Sequence, residues 1–193
     1  MYSRSRLETE RLVLRPLLPA DAAAIQRYAS DFKVADTTIS IPHPYPNGEA
    51  EKYISQQIAE QKQGHSVTFA IAKRTSCVIA LKPKSDLIGI IKFRDIELEH
   101  SAAELTYWLA VTAWGKGYMS EALKPMLRFG FETLTFNKIY AYHMVRNQAS
   151  GRVLQKNGFV LEGLLRQRIK KWGKFEDVKL LSILRDEWQS HYT

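Results

Sequence analysis

The chain has 193 residues, of which 45% are hydrophobic and 25% charged, a composition typical of a globular domain and not of a disordered or fibrous protein. It has no apolar run near the roughly 18 residues of a membrane span, no secretory signal, and one cysteine, Cys77, which excludes an internal disulfide. We therefore expect one domain over residues 1–193, in the reducing cytoplasm. The formal net charge of +8 favours an anionic partner or cofactor without choosing among nucleic acid, cofactor and acidic protein.

Hydrophobic periodicity predicts strands and helices in the order β-α-α-β-β-β-α-β-α-β-β. The connection at 75–86 is long for a hairpin, and its apolar residues alternatively extend the preceding strand. The order of elements predicts an α/β fold in which a mixed sheet carries helices on both faces. The predicted strands are 11–15, 67–74, 87–97, 104–111, 138–146, 164–171 and 175–184, and the predicted helices end near Tyr28, Gln63, Gly130 and Lys156.

A glycine-rich turn, Gly115-x-Gly117, joins the strand at 104–111 to an amphipathic helix. The first N–H groups of a helix are unpaired and, with the helix dipole, form a binding site for phosphate groups. Ser120 replaces the third glycine of a dinucleotide loop, and the Walker spacing is absent, so both nucleotide-binding folds are disfavoured. Taken alone, the turn indicates either a phosphate-bearing cofactor or a tight turn without a ligand.

A second motif lies at 147–159, where Asn147 and Ser150 precede Lys156-Asn157-Gly158-Phe159. It resembles the Asn-x-x-Ser…Lys-x-Gly-Phe segment of the GNAT superfamily of N-acetyltransferases, in its RimJ/RimL-like branch. The segment 107–118 resembles the acetyl-CoA motif of that family, and the first and last predicted strands are similar to those of the family. The resemblance implies a GNAT fold: a mixed, mostly antiparallel sheet of about seven strands, about four helices, and two splayed central strands.

The resemblance implies that acetyl-CoA is the cosubstrate. No metal is expected, because the scattered histidines do not have the spacing of metal ligands. The pyrophosphate of acetyl-CoA would lie on the backbone amides of 115–120 and its pantetheine arm beside 109–111, where a backbone N–H near Leu109 would stabilise the oxyanion. Lys116 is expected either near a phosphate or in solvent, and Asn147 either binds the pantetheine or only caps its helix. The implied cofactor-binding residues are Leu109, Val111, Gly115, Lys116, Gly117, Tyr118, Met119, Ser120 and Asn147.

Two residues are implied for the chemistry. Glu104, on the central strand, is the candidate base for the acceptor amine, directly or through a water, and Ser150 would hydrogen-bond the departing thiolate. The ordinary alternatives are a solvent-facing or salt-bridged strand glutamate and a first-turn helix serine. The chain departs from the family at two places. Thr112 replaces a Gln or Arg whose side chain contacts the cofactor, and the segment 168–170 lacks the catalytic glutamate of some ribosomal-protein acetyltransferases. The second departure gives Glu104 more weight.

The resemblance also implies the acceptor, a primary amine, with protein N-termini, ribosomal ones especially, as the best-known class. The basic residues at 166–174 would either bind an acidic protein N-terminus or form a solvated strand face. A small amine (polyamine, aminoglycoside or amino acid) and a non-catalytic acyl-CoA sensor stay open as alternatives. Nucleic acid is disfavoured because few aromatics interleave with the basic residues, and no membrane partner is expected. Both a monomer and a homodimer are compatible with the sequence.

Overall fold

The computed structural model describes residues 5–74 and 87–192, which form one mixed eight-stranded sheet and six α-helices. The strand order is β1-β2-β3-β4-β5-β6-β8-β7. The strands are β1 (Leu7–Glu8), β2 (Leu12–Pro16), β3 (Val67–Lys73), β4 (Leu87–Glu97), β5 (Ala102–Leu109), β6 (Lys138–Met144), β7 (Val160–Lys171) and β8 (Lys174–Leu184). The helices are α1 (Ala22–Ala29), α2 (Phe32–Thr37), α3 (Glu49–Lys62), α4 (Tyr118–Arg128), α5 (Gln148–Lys156) and α6 (Arg185–Tyr192).

The predicted α/β fold class is confirmed, with one strand and two helices more than expected. The extra strand, β1, has two residues and pairs with β2. The extra helices, α2 and α6, have six and eight residues. The long connection at 75–86, with Cys77, lies outside the described residues. None of the helices in the described ranges is long and apolar enough to span a membrane.

The sheet separates two hydrophobic clusters because successive residues of a strand point to opposite faces. The larger cluster lies on the face covered by α4, α5 and α6, and it includes Phe93, Leu105 and Phe131. The smaller cluster lies on the face covered by α1 and α3, and it includes Ile90 and the half-buried Trp108. Alternate residues of β4 and β5 therefore contribute to different faces of the molecule.

The two central strands diverge, as the resemblance implied. β5 and β6 are parallel, and their paired residues run only from Ala102–Lys138 to Glu104–Tyr140. Beyond this point β5 pairs only with β4, and β6 pairs only with β8. The divergence opens a V-shaped gap in the sheet, and Glu104 is the last β5 residue before it opens.

The basic strip predicted on the last strand pair is only partly formed. A bulge separates the pairs Leu165–Val178 and Ile169–Glu176, so the strand alternation that would align the basic side chains is interrupted. Arg166, Arg168 and Lys170 are exposed. Lys171, which we expected among them, is buried, and its Nζ donates to the carbonyl oxygen of Ile41 at 2.8 Å.

Candidate active site

A cleft of about 1070 Å³ runs through the gap between β5 and β6. One end lies at the turn before α4, and the other end lies under α1 and α3. The segment 37–42 and the first turns of α5 also line it. The cleft therefore joins the two faces of the sheet, with space for a cosubstrate on one side and an acceptor on the other.

The N-terminus of α4 has the geometry of an anion site. Gly117 is its N-cap, with a φ of 75° and no side-chain cap, and the first helical bond runs from the Glu121 N–H to the Gly117 carbonyl at 3.0 Å. The N–H groups of 118–120 thus have no acceptor within the helix. Gly115 has a φ of 71°, and a Cβ there would contact nothing within 4 Å, so its backbone conformation rather than crowding favours glycine.

The turn at 115–117 is attached to the N-terminal strands by Arg11 and Glu121. The Arg11 Nη1 donates to the Lys116 carbonyl at 3.1 Å, and its Nη2 forms an ion pair with Glu121 at 2.6 Å. The Thr9 hydroxyl and the Arg11 backbone N–H also donate to this carboxylate. Although burial opposes it, these bonds lower the pKa of Glu121. An anionic Glu121 therefore fixes the turn in position.

Some of the predicted cofactor residues line the cleft, and the others do not. β5 ends at Leu109, two residues earlier than predicted, because a 3₁₀ turn begins at Val111. The cofactor contact expected at Val111 stays a prediction. The Lys116 Nζ donates to the Thr112 carbonyl at 2.8 Å, and the Tyr118 ring lies 4.7 Å from the Arg11 guanidinium, both outside the cleft. The predicted residues that line the cleft are Leu109, Gly115, Gly117, Met119, Ser120 and Asn147.

The Leu109 backbone N–H points into the gap. The next N–H, that of Ala110, donates to the Ile88 carbonyl on the β4 side at 2.8 Å. Consecutive residues of an extended strand direct their N–H groups to opposite sides. The Leu109 carbonyl, on the same side as its N–H, accepts from the Trp114 indole at 2.8 Å. This leaves a fixed amide donor at the edge where the strands have parted.

Glu104 is a buried carboxylate at the narrow end of the gap, 4% exposed. Its two oxygens accept from the Arg94 Nη2 at 2.9 and 2.8 Å. Burial raises the pKa of Glu104 above its ordinary value, although the bonds to Arg94 act in the opposite direction. Of the alternatives at this position, the solvent-facing one is excluded by the low exposure of Glu104, and the salt-bridged one is observed. The role of Glu104 as a base stays a prediction.

Ser150 and Tyr107 form a hydroxyl pair on the opposite face. Their oxygens are 2.9 Å apart, across the gap between α5 and β5. The Asn147 Oδ1 accepts from the Ser150 N–H at 3.2 Å, which makes Asn147 the cap of α5. Burial raises the pKa of Tyr107, so this phenol stays protonated at neutral pH and can donate.

The segment 37–42 closes one side of the cleft and is held from the far half of the sheet. The Arg146 Nη2 donates to the Asp36 carbonyl at 2.8 Å, and its Nη1 pairs with the Asp36 carboxylate at 2.8 Å. The Asn147 Nδ2 donates to the Thr37 carbonyl at 3.0 Å, and Lys171 donates to that of Ile41. These bonds connect the end of α2 and the chain that follows it to the loop between β6 and α5 and to β7, across the V.

Sequence reasoning missed three of the side chains that line this cleft, Lys92, Arg94 and Tyr107. One available signal was the pair of cations, Lys92 and Arg94, at alternate positions of the otherwise apolar segment 87–94. Charged residues at that spacing in a central strand point to one face, where a buried cation needs a partner. Tyr107 carried no such signal, because aromatic residues are common in strands.

In the described ranges, no group of three or more His, Cys, Asp or Glu side chains is placed to hold a metal ion. Comparisons with known proteins identify the family. Residues 11–160 match the acetyltransferase (GNAT) domain family. The chain belongs to this family. It is thus an acetyl-CoA-dependent N-acetyltransferase, as the sequence motifs implied.

Two curated bacterial relatives show how the family extends along the chain. The chain is 32% identical over 183 residues to an uncharacterized N-acetyltransferase, p20, of Bacillus licheniformis, covering 94% of this chain and 97% of that protein. Over 105 residues it is 30% identical to spermidine N(1)-acetyltransferase of Vibrio cholerae, covering 54% and 61%. The first relative supports a GNAT domain over nearly the whole length.

A solved structure of RimL, a ribosomal L7/L12 alpha-N-protein acetyltransferase in complex with coenzyme A, has the same fold. It superposes with a TM-score of 0.82 at 22% identity and covers 95% of this chain and 99% of that one. This GNAT acetyltransferase domain therefore has a fold that binds coenzyme A in RimL.

Proposed function

We propose that this GNAT acetyltransferase acetylates the N-terminal α-amine of an acidic protein in the cytoplasm, by direct attack in a ternary complex. The observation that carries the proposal is the position of Glu104, a buried carboxylate at the point where β5 and β6 part. A carboxylate with a raised pKa at this point is suited to accept a proton from an ammonium group on the α1–α3 side.

The residues around the gap can serve the successive proton and charge changes. Acetyl-CoA supplies the acetyl group, and its phosphates fit the free N–H groups at the start of α4. Glu104 takes the proton that the acceptor ammonium loses before its nitrogen bonds to the acetyl carbon. The Leu109 N–H stabilises charge on the acetyl oxygen. Ser150 donates a hydrogen bond to the sulfur as the carbon–sulfur bond breaks. The nitrogen loses its second proton to solvent as the amide forms, and the released thiolate takes up a proton from solvent.

The net charge favours an acidic acceptor over a polycation. At +8 the chain repels polyamines at long range and attracts anionic peptides. Arg166, Arg168 and Lys170 are exposed on β7, at one edge of the sheet, and add to this field. RimL, by its name, acts on a protein N-terminus, which supports the protein class, whereas the Vibrio cholerae relative acts on spermidine and supports a small amine as the second candidate.

A panel of acceptors scored by release of the coenzyme A thiol separates these candidates. It contains hexapeptides with free N-termini, the same peptides with acetylated N-termini and an internal lysine, spermidine, and an aminoglycoside. We expect turnover only with the free N-terminal peptides, with the acetyl group located on the α-nitrogen by fragmentation mass spectrometry. Turnover of spermidine without turnover of any peptide would contradict the proposal, and tight binding of acetyl-CoA without any turnover would favour a sensor.

A further inference from the structure

Lys92 is a cation inside the acceptor half of the cleft. On β4 it lies opposite Thr106 of β5, next to the pair formed by Arg94 and Glu104. The side chains of these paired residues share the face covered by α1 and α3. Diagonal cross-strand neighbours are about 7–8 Å apart, so Lys92 lies about two residue lengths from the proposed base.

The side chain of Lys92 is held in a defined position. Its Nζ donates to the Gln57 Oε1 at 3.0 Å. Gln57 is 3% exposed, its Oε1 also accepts from the Thr68 hydroxyl at 3.0 Å, and its Nε2 donates to Glu60 at 3.1 Å. Since a buried amide with bonds at both ends cannot rotate freely, it fixes the ammonium toward the cleft.

The charge of Lys92 lacks an opposite charge in direct contact. Within 5–74 and 87–192, no carboxylate forms an ion pair with it, and Glu60 accepts instead from Gln56, Gln57 and Ser66. Burial lowers the pKa of Lys92, because a cation removed from water is destabilised. An ammonium has three donors, and Gln57 uses one of them. Glu60, Asp95 and Glu104 act on this pKa from a distance, so a carboxylate entering the cleft would supply a further acceptor and an opposite charge in direct contact.

We propose that Lys92 binds a carboxylate of the acceptor, carried by the side chain of its first or second residue. This inference rests on the proposed transfer to a protein N-terminus. Neighbouring Cα atoms are 3.8 Å apart, so with the α-amine at Glu104 an Asp or Glu side chain at either position spans the distance to Lys92. The specificity is then for an acidic residue beside the reacting amine, and a polyamine meets a repelling charge at the same place.

Matched hexapeptides that differ only by Asp or Asn at the second position test this contact. For the wild type we expect kcat/KM to be about tenfold higher with the Asp peptide than with the Asn peptide, because one partly desolvated ion pair contributes about this factor. The difference should lie in KM. Lys92→Met should bring this ratio to about one, with kcat changed by less than about twofold, and Lys92→Arg should keep most of it. Lys62→Met is the matched control, because Lys62 is exposed at the end of α3 and outside the cleft.

The outcomes separate this inference from the proposed function. A wild type that acetylates both peptides equally, or a Lys92→Met variant that loses activity equally with both, overturns the carboxylate contact and leaves the proposed function intact. A wild type that acetylates no peptide overturns both. Binding of acetyl-CoA, measured by calorimetry, checks that each variant is folded. If Lys92→Met fails to bind acetyl-CoA, the ratio of kcat/KM for the Asp and Asn peptides is measured with Lys92→Gln instead, and that ratio decides whether the contact exists.

Discussion

Glu104 is placed so that the rate of transfer should report its protonation. Only the carboxylate form can accept a proton, so activity is lost as pH falls through the raised pKa of Glu104. We expect Glu104→Gln to lower kcat/KM by about 100-fold at pH 6.5 and to move the acid limb of the profile upward, toward pH ~8, the ordinary pKa of an α-amine. Initial rates from pH 5 to pH 9, under saturating acetyl-CoA, measure both effects.

The matched control for this substitution is Glu99→Gln, since Glu99 is exposed in the turn between β4 and β5. It should keep the wild-type profile. If Glu104→Gln lowers the rate equally at every pH, Glu104 acts by holding Arg94 in position, and its role as a base is wrong.

The hydroxyl pair of Ser150 and Tyr107 should behave as one unit. We expect Ser150→Ala and Tyr107→Phe each to lower kcat by about tenfold, which corresponds to about 1.4 kcal/mol, the size of one hydrogen bond. The oxygens are in contact at 2.9 Å, so the double variant should lose little more than either single one. Single-turnover rates measure the three losses. Additive losses would show that the hydroxyls act separately, and unchanged rates would make Ser150 an ordinary helix residue.

At the scale of elements, the bond network of Glu121 joins α4 to the N-terminal strands. Its lowered pKa means that the anion stabilises the fold at neutral pH and that this contribution is lost as pH falls below about 4.5 through the folded-state value. We expect Glu121→Gln to lower the free energy of unfolding by about 1–2 kcal/mol at pH 7 and by much less at pH 3. Urea titrations at the two pH values measure the difference.

The same substitution should weaken acetyl-CoA binding, because Arg11 would be released from the Lys116 carbonyl that it now holds. Glu132→Gln, an exposed position after α4, is the control for a change in charge alone. A stability loss of equal size at pH 7 and pH 3 would mean that Glu121 contributes by packing and not by its charge.

Elements specified by local signals were predictable from sequence. The bounds of α5 were predicted at Gln148–Lys156, because Asn147 caps its start and Gly158, with a φ of 87°, follows its end. The helix α2 was missed because it has six residues, and because Asp36, near its end, bonds to Arg146, 110 residues away. A contact at such a separation leaves no local pattern.

In the candidate site, too, features set by the local sequence were predictable, and contacts between distant residues were not. The amides at Gly115–Ser120 were predicted, since glycine spacing and helix start are both local features. The pairing of Glu104 with Arg94, and the placement of Lys92 beside them, depend on the register of β4 against β5, which a single sequence does not specify. The identity of the candidate base was therefore predictable, but its ion pair and its neighbouring cation were not.

At the scale of the whole molecule, the net charge of +8 should affect association with acidic acceptors. Interactions between exposed charges are screened beyond about 10 Å at 0.1 M salt and beyond about 3 Å at 1 M. We expect kcat/KM for an acidic peptide with several Asp residues beyond its second position to fall about tenfold between 20 mM and 500 mM NaCl, with kcat unchanged. A peptide of the same length with Asn at those positions should show little dependence on salt.

This salt dependence is separable from the contact at Lys92. The exposed cations Arg166 and Arg168 act at long range, so replacing both with Gln should flatten the salt dependence while the preference for Asp at the second position persists. Lys92→Met should abolish the preference for Asp at the second position and keep the salt dependence, because a partly buried ion pair is screened much less by salt than an exposed one. Each variant is assayed at both salt concentrations with two pairs of peptides, one differing at the second position and one differing beyond it. Initial rates with the first pair measure the contact at Lys92, and those with the second pair measure the salt dependence. Equal salt dependence for the acidic and neutral peptides would show that the molecular charge does not select the acceptor.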